Sequence, residues 1–414
     1  MRKANEGLNF FYKIAALSLL RHMQKYSSIN YRKTVSNIRE TLRRIDSNLV
    51  KIDKNPYCLP VYELEQLGLY KKKYMVYGAY LSAISSLPIL YQVARDRDII
   101  SSIFAKTVAV TSIKVIDNIN DRFHDFDHAI RSQQKHGQAL TCNDFFLNEM
   151  NECNLQWIKK AENSTYLMAQ WTYNALVSPT SNTSEMFEKF RRDAHNYISG
   201  QIQSFYQKFN KFETTPIDLP KYLESISTKG FGKLWIDIDF CFYEKSVGEI
   251  SEDDRKAMGL INKSLDFLFK ALCIYDDTTD LREDLANDII NSSVILGIDQ
   301  GKLSLDDLQN GYNALIKLLE ERKILFDTVK LGDLCFLKSI NRLLEAEKYA
   351  KQMDIQALIY CTRILRLFLL RKMVLEKRNI GSVNELVLSF KGFEKLRSSI
   401  PDRILSYDKL LDRI

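Results

Sequence analysis

Glycine and proline, the residues that most often punctuate loops, are scarce: 15 Gly and 7 Pro in 414 residues. Alternating strand patterns bounded by turn residues are equally hard to find, so the chain is expected to be all-α. The seven cysteines (Cys58, Cys142, Cys153, Cys241, Cys273, Cys335 and Cys361) contain no CxxC pair and no Cys/His spacing fit for zinc. Several lie in apolar runs, which reads as reduced core thiols in a cytoplasmic protein. No apolar run reaches about 20 residues without interruption, and no clear signal peptide is present, so no transmembrane helix is expected. The nearest run, 99–116, carries Lys106 and Lys114 and continues into acidic sequence, which favours a buried bundle helix. A strong charge imbalance is also missing. The net charge of +7 is mild and dispersed. It suits an anionic substrate or a membrane surface and gives no reason to expect nucleic acid.

What the chain has is apolar helical sequence, 45% hydrophobic and 27% charged, enough for a sizeable core. The expected architecture is a single large helical bundle over residues 57–414, preceded by a basic, amphipathic helical extension over 1–56. Helices are expected over 8–25 and 29–52, with a break at Asn55-Pro56, and then over 61–86 and from Pro88 to Asp96. Further helices are expected from Arg97, over 143–177 and 184–212, after Pro220, and after the Ser251 cap. The C-terminal part reads as helices over 304–330, 333–352 and 354–377, with a last one from Pro401.

Two stretches stand out. The first is Tyr275-Asp276-Asp277-Thr278-Thr279-Asp280-Leu281-Arg282-Glu283-Asp284, which continues an apolar run from Leu265 to Ile274. Residues four apart share a helix face, so Asp276, Asp280, Asp284 and Asp288 form a ladder with Asp277 beside it. The second is Asp117-Asn118-Ile119-Asn120-Asp121-Arg122-Phe123-His124-Asp125, where Asp117, Asp121 and Asp125 repeat the spacing at the end of the 99–116 run. Stacked like charges destabilise a helix. A solvated acidic face is the plain explanation for one such row. Two rows, each ending a buried helix, point instead to one shared site. Facing each other in a bundle, they would hold Mg²⁺, which takes carboxylates, waters and substrate phosphates in octahedral geometry. Between them in sequence lies Tyr222…Thr228-Lys229-Gly230-Phe231-Gly232-Lys233, with two glycines where a helix would run. Mid-helix glycines cost about 1 kcal/mol each. They serve close helix packing or a plain helix break, or else a break whose free N–H groups, with Lys229 and Lys233, meet an anion.

These motifs resemble the class I terpenoid synthase superfamily, which includes the trans-isoprenyl diphosphate synthases. Asp276-Asp277-Thr278-Thr279-Asp280 matches the family's second Asp-rich motif, and Asp117-Asn118-Ile119-Asn120-Asp121 is a relaxed first motif. The phrase Asp117 to Arg122 looks most like the large cyclases of the tetraprenyl-beta-curcumene synthase type. Tyr222 and Lys229-Gly230 are similar to the family's pre-motif tyrosine and diphosphate-binding lysine. The resemblance spans roughly residues 75–380 and rests on these short motifs.

The resemblance implies a Mg²⁺-dependent enzyme that ionises a prenyl diphosphate and releases diphosphate. It implies metal ligation by Asp117, Asp121, Asp125, Asp276, Asp277, Asp280 and Asp284. Substrate binding falls to Lys229, Lys233, Arg122 and Tyr222, and catalytic roles to Lys229, Lys233 and Tyr275. The Gly-Lys-Arg of the chain-elongating members is missing near the N-terminus, and only Arg131 follows Asp125 and Asp127, where those members have an Arg pair. One-substrate chemistry, a terpene cyclase, is therefore expected ahead of an isoprenyl diphosphate synthase or a squalene/phytoene-type prenyltransferase. A non-catalytic helical scaffold and an all-α Mg²⁺ phosphohydrolase stand as alternatives of other classes. Beside the prenyl diphosphate, peripheral contact with a membrane and a homodimer stay open.

Overall fold

The computed structural model describes residues 31–142, 156–177, 184–205, 218–287, 289–377 and 392–413. The helix expected over 8–25 lies outside them. Among the described residues there is no β-sheet, and the all-α expectation holds.

The chain opens with α1 (Tyr31–Asp53), the short α2 (Val61–Gln66), α3 (Lys72–Leu90), α4 (Asp96–Phe123) and α5 (Phe126–Thr141). It continues with α6 (Gln156–Val177), α7 (Glu185–Ser204), α8 (Leu219–Lys229), α9 (Gly232–Val247) and α10 (Glu252–Ala286). After α11 (Ser292–Asp299) and a 3₁₀ turn (Asp306–Asn310) come α12 (Tyr312–Glu321), α13 (Ile324–Ala346) and α14 (Ile355–Lys377). Three short helices close the described chain: α15 (Phe393–Arg397), α16 (Asp402–Leu405) and α17 (Asp408–Leu411).

Two long helices organise the bundle. The 35-residue α10 starts at the Ser251 cap, whose side chain accepts from Asp254 N, and its first turn carries Glu252, Asp253 and Asp254. Both features suit the positive end of a helix. It packs along α13 and is flanked by α9, α14 and α8. The 28-residue α4 packs against α3, α6 and α1. It is long and apolar enough to cross a membrane, but most of its apolar stretch is buried among the other helices. That is the bundle-core role expected from its lysines and acidic end. Helix α1 sends Ile38, Ile45 and Ile52 into the same core as α4 and α10, so no core boundary falls at residue 56.

Four expected helices differ. The single helix over 61–86 is two, because Gly68 takes φ +69°, a left-handed conformation that favours glycine, and turns the chain between α2 and α3. Pro88, expected to open a helix, lies inside α3 instead. The helices expected over 304–330 and 333–352 are divided elsewhere. The chain turns at Lys323 (φ 57°), and α13 runs straight through Asp333.

Candidate active site

Both carboxylate ladders sit at the C-terminal ends of their helices, with Asp276, Asp280 and Asp284 on α10, while the expected rung Asp288 lies outside the described residues. On α4 the ladder is shorter than expected. The helix ends at Phe123, and Asp125 becomes the N-cap of α5, accepting from His128 N at 2.8 Å and meeting His128 Nδ1 at 2.7 Å. These bonds hold the Asp125 carboxyl below its usual range. Asp125 is a cap rather than a third rung, which corrects the expectation.

Asp117 is half-buried, and desolvation pushes its carboxyl up to about 7, with Lys114 opposing and Asp121 adding to the rise. Asp121 is also raised. Desolvation leads, Lys114 and Arg122 oppose, and Glu283 of α10 adds a like charge. That last effect is a like-charge repulsion between the ends of the two helices. On α10, Asp276, Asp277, Asp280 and Asp284 are all half-buried. Asp284 is raised to about 7 by burial first; the hydrogen bond from Asn291 opposes, and Asp277, Asp280 and Asp276 crowd it.

Asp277 has its own partners. Its Oδ2 accepts from the Tyr222 hydroxyl at 2.7 Å and from Ser292 N at 3.0 Å, at the start of α11. Asn291 Nδ2 donates to the Asp277 carbonyl and to Asp284 Oδ2, each at 2.7 Å. Tyr222 therefore reaches the acidic face from α8, where Asp218 caps the helix and Pro220 lies in its first turn.

The glycine segment is a helix break. Helix α8 stops at Lys229, Gly230 is extended (φ −76°, ψ 127°), and α9 begins at Gly232 with no side-chain cap. Gly232 also permits close packing. A Cβ there would lie 2.5 Å from Phe269 Cδ2 and 2.6 Å from the Leu265 carbonyl of α10. Close packing and a plain helix break thus both occur here. Asp266 fastens the break to α10, accepting from Ser227 Oγ at 2.8 Å and pairing with Lys233 at 3.2 Å. Lys229 is half-buried and makes no ion pair within 4 Å among the described residues, yet its charge acts on both Asp277 and Cys273.

An aromatic wall runs across α7, α9 and α10. Tyr197 of α7 stands edge-on to Phe231 (5.9 Å), Phe231 stacks on Trp235 (6.5 Å), and Trp235 meets Phe269 edge-on (5.8 Å). Tyr197 is fully buried, and its phenol is pushed far up by burial and then by Asp117, with Cys273 contributing. Deeper still, Lys106 is fully buried, pairs with Asp239 at 2.5 Å, and lies 4.9 Å from the Trp235 ring. Burial pulls its ammonium below the usual value against the pull of Asp239.

Two expected residues point elsewhere. Tyr275 donates to Asp333 Oδ1 at 2.6 Å and accepts from Arg366 Nε at 3.1 Å, fully buried in the seam of α10, α13 and α14. Residues two apart do not share a helix face, so Tyr275 looks away from Asp277. Arg122 is exposed, and its Nη1 reaches the carbonyls of Leu67 (3.3 Å) and Gly68 (3.5 Å). Sequence reasoning missed Tyr197, Cys273, Asn291 and Glu283. Tyr197 reads as an ordinary core position of an amphipathic helix, and Asn291 as a plain helix cap. Glu283 could have been found as the acid beside Asp284.

Among the described residues no three His, Cys, Asp or Glu side chains are already gathered around one ion-sized point. The donor set nevertheless fits a hard divalent cation in kind: carboxylates only, crowded with like charge.

No protein-family model matches the chain, and no curated protein matches it by sequence. Its fold is similar to solved structures. The SVS_A2 protein from ancestral sequence reconstruction aligns with a TM-score of 0.51 at 14% identity, over 81% of this chain and 86% of that one. The geranylgeranyl pyrophosphate synthetase of the archaeon Geoglobus acetivorans aligns at 0.44 and 14%, over 78% and 98%. The 2-methylisoborneol synthase of Streptomyces coelicolor, solved with Mg²⁺ and 2-fluoroneryl diphosphate, aligns at 0.43 and 14%, over 79% and 87%. At a TM-score above 0.5, the chain shares its all-α fold with the SVS_A2 protein. At this identity the likeness speaks for fold alone.

Proposed function

We propose that the chain is a Mg²⁺-dependent class I terpene synthase that ionises a prenyl diphosphate as a cyclase. What supports this reading most is the pair of carboxylate rows at the C-terminal ends of α4 and α10, with Glu283 repelling Asp121, Lys229 acting on Asp277, and the aromatic wall of Phe231, Trp235 and Phe269. A shallow, polar hydrolase cleft would have no use for that wall. A scaffold would have no use for crowded, desolvated carboxylates, which cost folding energy.

In this reading Asp117, Asp121, Asp276, Asp280 and Asp284 would hold the metal. When bound, Mg²⁺ supplies Lewis-acid polarisation of the diphosphate oxygens. The chain's own residues do the rest. Tyr222, Ser292 N and Asn291 fix Asp277 and Asp284, which keeps the acidic face of α10 in one conformation. Lys229 adds positive charge where negative charge grows on the leaving oxygens. Phe231, Trp235 and Phe269 offer ring faces to the allylic cation and keep water from it. Lys233, already paired with Asp266, positions the helix break. Calorimetry tests the shared site. Mg²⁺ alone binds weakly and binds much more tightly with pyrophosphate present, and Asp280→Asn removes that coupling. Tight Mg²⁺ binding without phosphate contradicts the reading.

A further inference from the structure

A cavity lies at the opposite end of α4 from its carboxylates. Asp98, on its wall, precedes Asp117 by nineteen residues on α4, or about 28 Å of helix rise. The cavity encloses about 690 Å³ and is lined by α1, α4, α6 and α9. Its polar wall carries Arg44, Lys51, Arg97 and Lys245, with one carboxylate among them, Asp98. Lys245 pairs with Asp98 at 2.6 Å, and Arg97 reaches it more loosely at 3.7 Å. Lys51 donates to the Asn48 amide oxygen at 2.9 Å.

Arg44 is the residue that needs an explanation. It is half-buried, donates to Ser101 Oγ at 2.8 Å, and lies 4.3 Å over the Phe104 ring. No carboxylate pairs with it among the described residues, and burial alone lowers its pKa below the ordinary arginine value. A desolvated guanidinium without an anion is costly, and its planar fork suits a phosphate. The other wall is aromatic: Phe104, Trp171 and Phe242.

The geometry points to a binding site for a phosphorylated amphiphile. The phosphate sits among Arg44, Arg97 and Lys51, and the apolar part lies on Phe104, Trp171 and Phe242. This site is separate from the carboxylate ladders and needs no metal, since its charge is already positive. Either a soluble prenyl- or alkyl-phosphate or a membrane lipid headgroup has this chemistry.

The test uses the full chain with EDTA present, so that metal-dependent diphosphate binding is silent. Monomeric dihexanoyl phosphatidic acid is titrated by calorimetry. Phosphatidylcholine vesicles doped with phosphatidic acid are followed by flotation. Saturable binding is expected. The Lys51→Glu/Arg97→Glu variant should weaken it at least about tenfold, because reversal removes two attractions and adds two repulsions. Asp280→Asn, at the far end, should bind as wild type. Glu at position 97 sits at the first turn of α4, where acidic residues are favoured, and a Gln pair at the same positions serves if the reversal disturbs folding. Monomer binding without flotation assigns a soluble ligand, and flotation lost in the same variant assigns a lipid headgroup. The site is overturned if neither probe binds, or if the charge variants bind as tightly as wild type.

Discussion

Asp117→Asn should abolish turnover and, in metal-free protein, stabilise the fold in a pH-dependent way. The wild-type carboxyl is raised from 3.8 to about 7, chiefly by burial. The folded state therefore holds its proton more tightly than the unfolded state does, and stability falls as pH rises from about 4 to about 7. Above 7 the ionised carboxylate costs about 4 kcal/mol, and at pH 5.5 about 2. Asp117 is only half-buried, so solvent screening brings the difference between the two conditions to about 1 kcal/mol. Asparagine is neutral throughout and removes this cost. Urea unfolding in EDTA should show the variant gaining about 1 kcal/mol more over wild type at pH 8 than at pH 5.5. An equal or smaller gain at pH 8 refutes the claim that the α4 ladder is held desolvated. Loss of folding in the variant would make Asp117 a structural residue.

Other perturbations have equally definite outcomes. Lys229→Ala should lower kcat by about 10²–10³ with a smaller effect on KM, because the charge it meets grows in the transition state. Lys229→Arg should recover only part of this, since a planar fork does not replace a compact ammonium. Tyr222→Phe removes one donor from Asp277 and should cost about 1–2 kcal/mol in thermal or urea unfolding. Gly232→Ala forces a methyl group against Phe269 and the Leu265 carbonyl and should cost about 1–3 kcal/mol, with turnover falling alongside as α9 shifts from α10.

Features that repeat along one helix were legible in the sequence. The ladder on α10, the Ser251 cap, the break after Lys229 and the burial of the 99–116 run follow from spacing and capping chemistry. What failed depended on tertiary partners. Asp125 kept the four-residue spacing, but the helix stopped at Phe123, and a cap became the better use of its carboxyl. Tyr275 adjoins the acidic motif in sequence, yet it faces a buried Asp333–Arg366 pair that lies 58 and 91 residues away. Tyr197 carries no local signal, since only packing brings its ring against Phe231. Lys106 read as an interruption of an apolar run; its partner Asp239 is on another helix, and only the fold makes them a buried pair.

The central claim is ionisation of a prenyl diphosphate at the shared carboxylate site. The most direct measurement incubates the protein with geranyl, farnesyl, geranylgeranyl and geranylfarnesyl diphosphates and Mg²⁺, then follows released pyrophosphate and extracts hydrocarbons for mass analysis. The account predicts pyrophosphate release together with a terpene product from at least one substrate, abolished by EDTA and by Asp280→Asn. Inorganic phosphate release without any hydrocarbon or terpene alcohol, or turnover unchanged in Asp280→Asn, would contradict it.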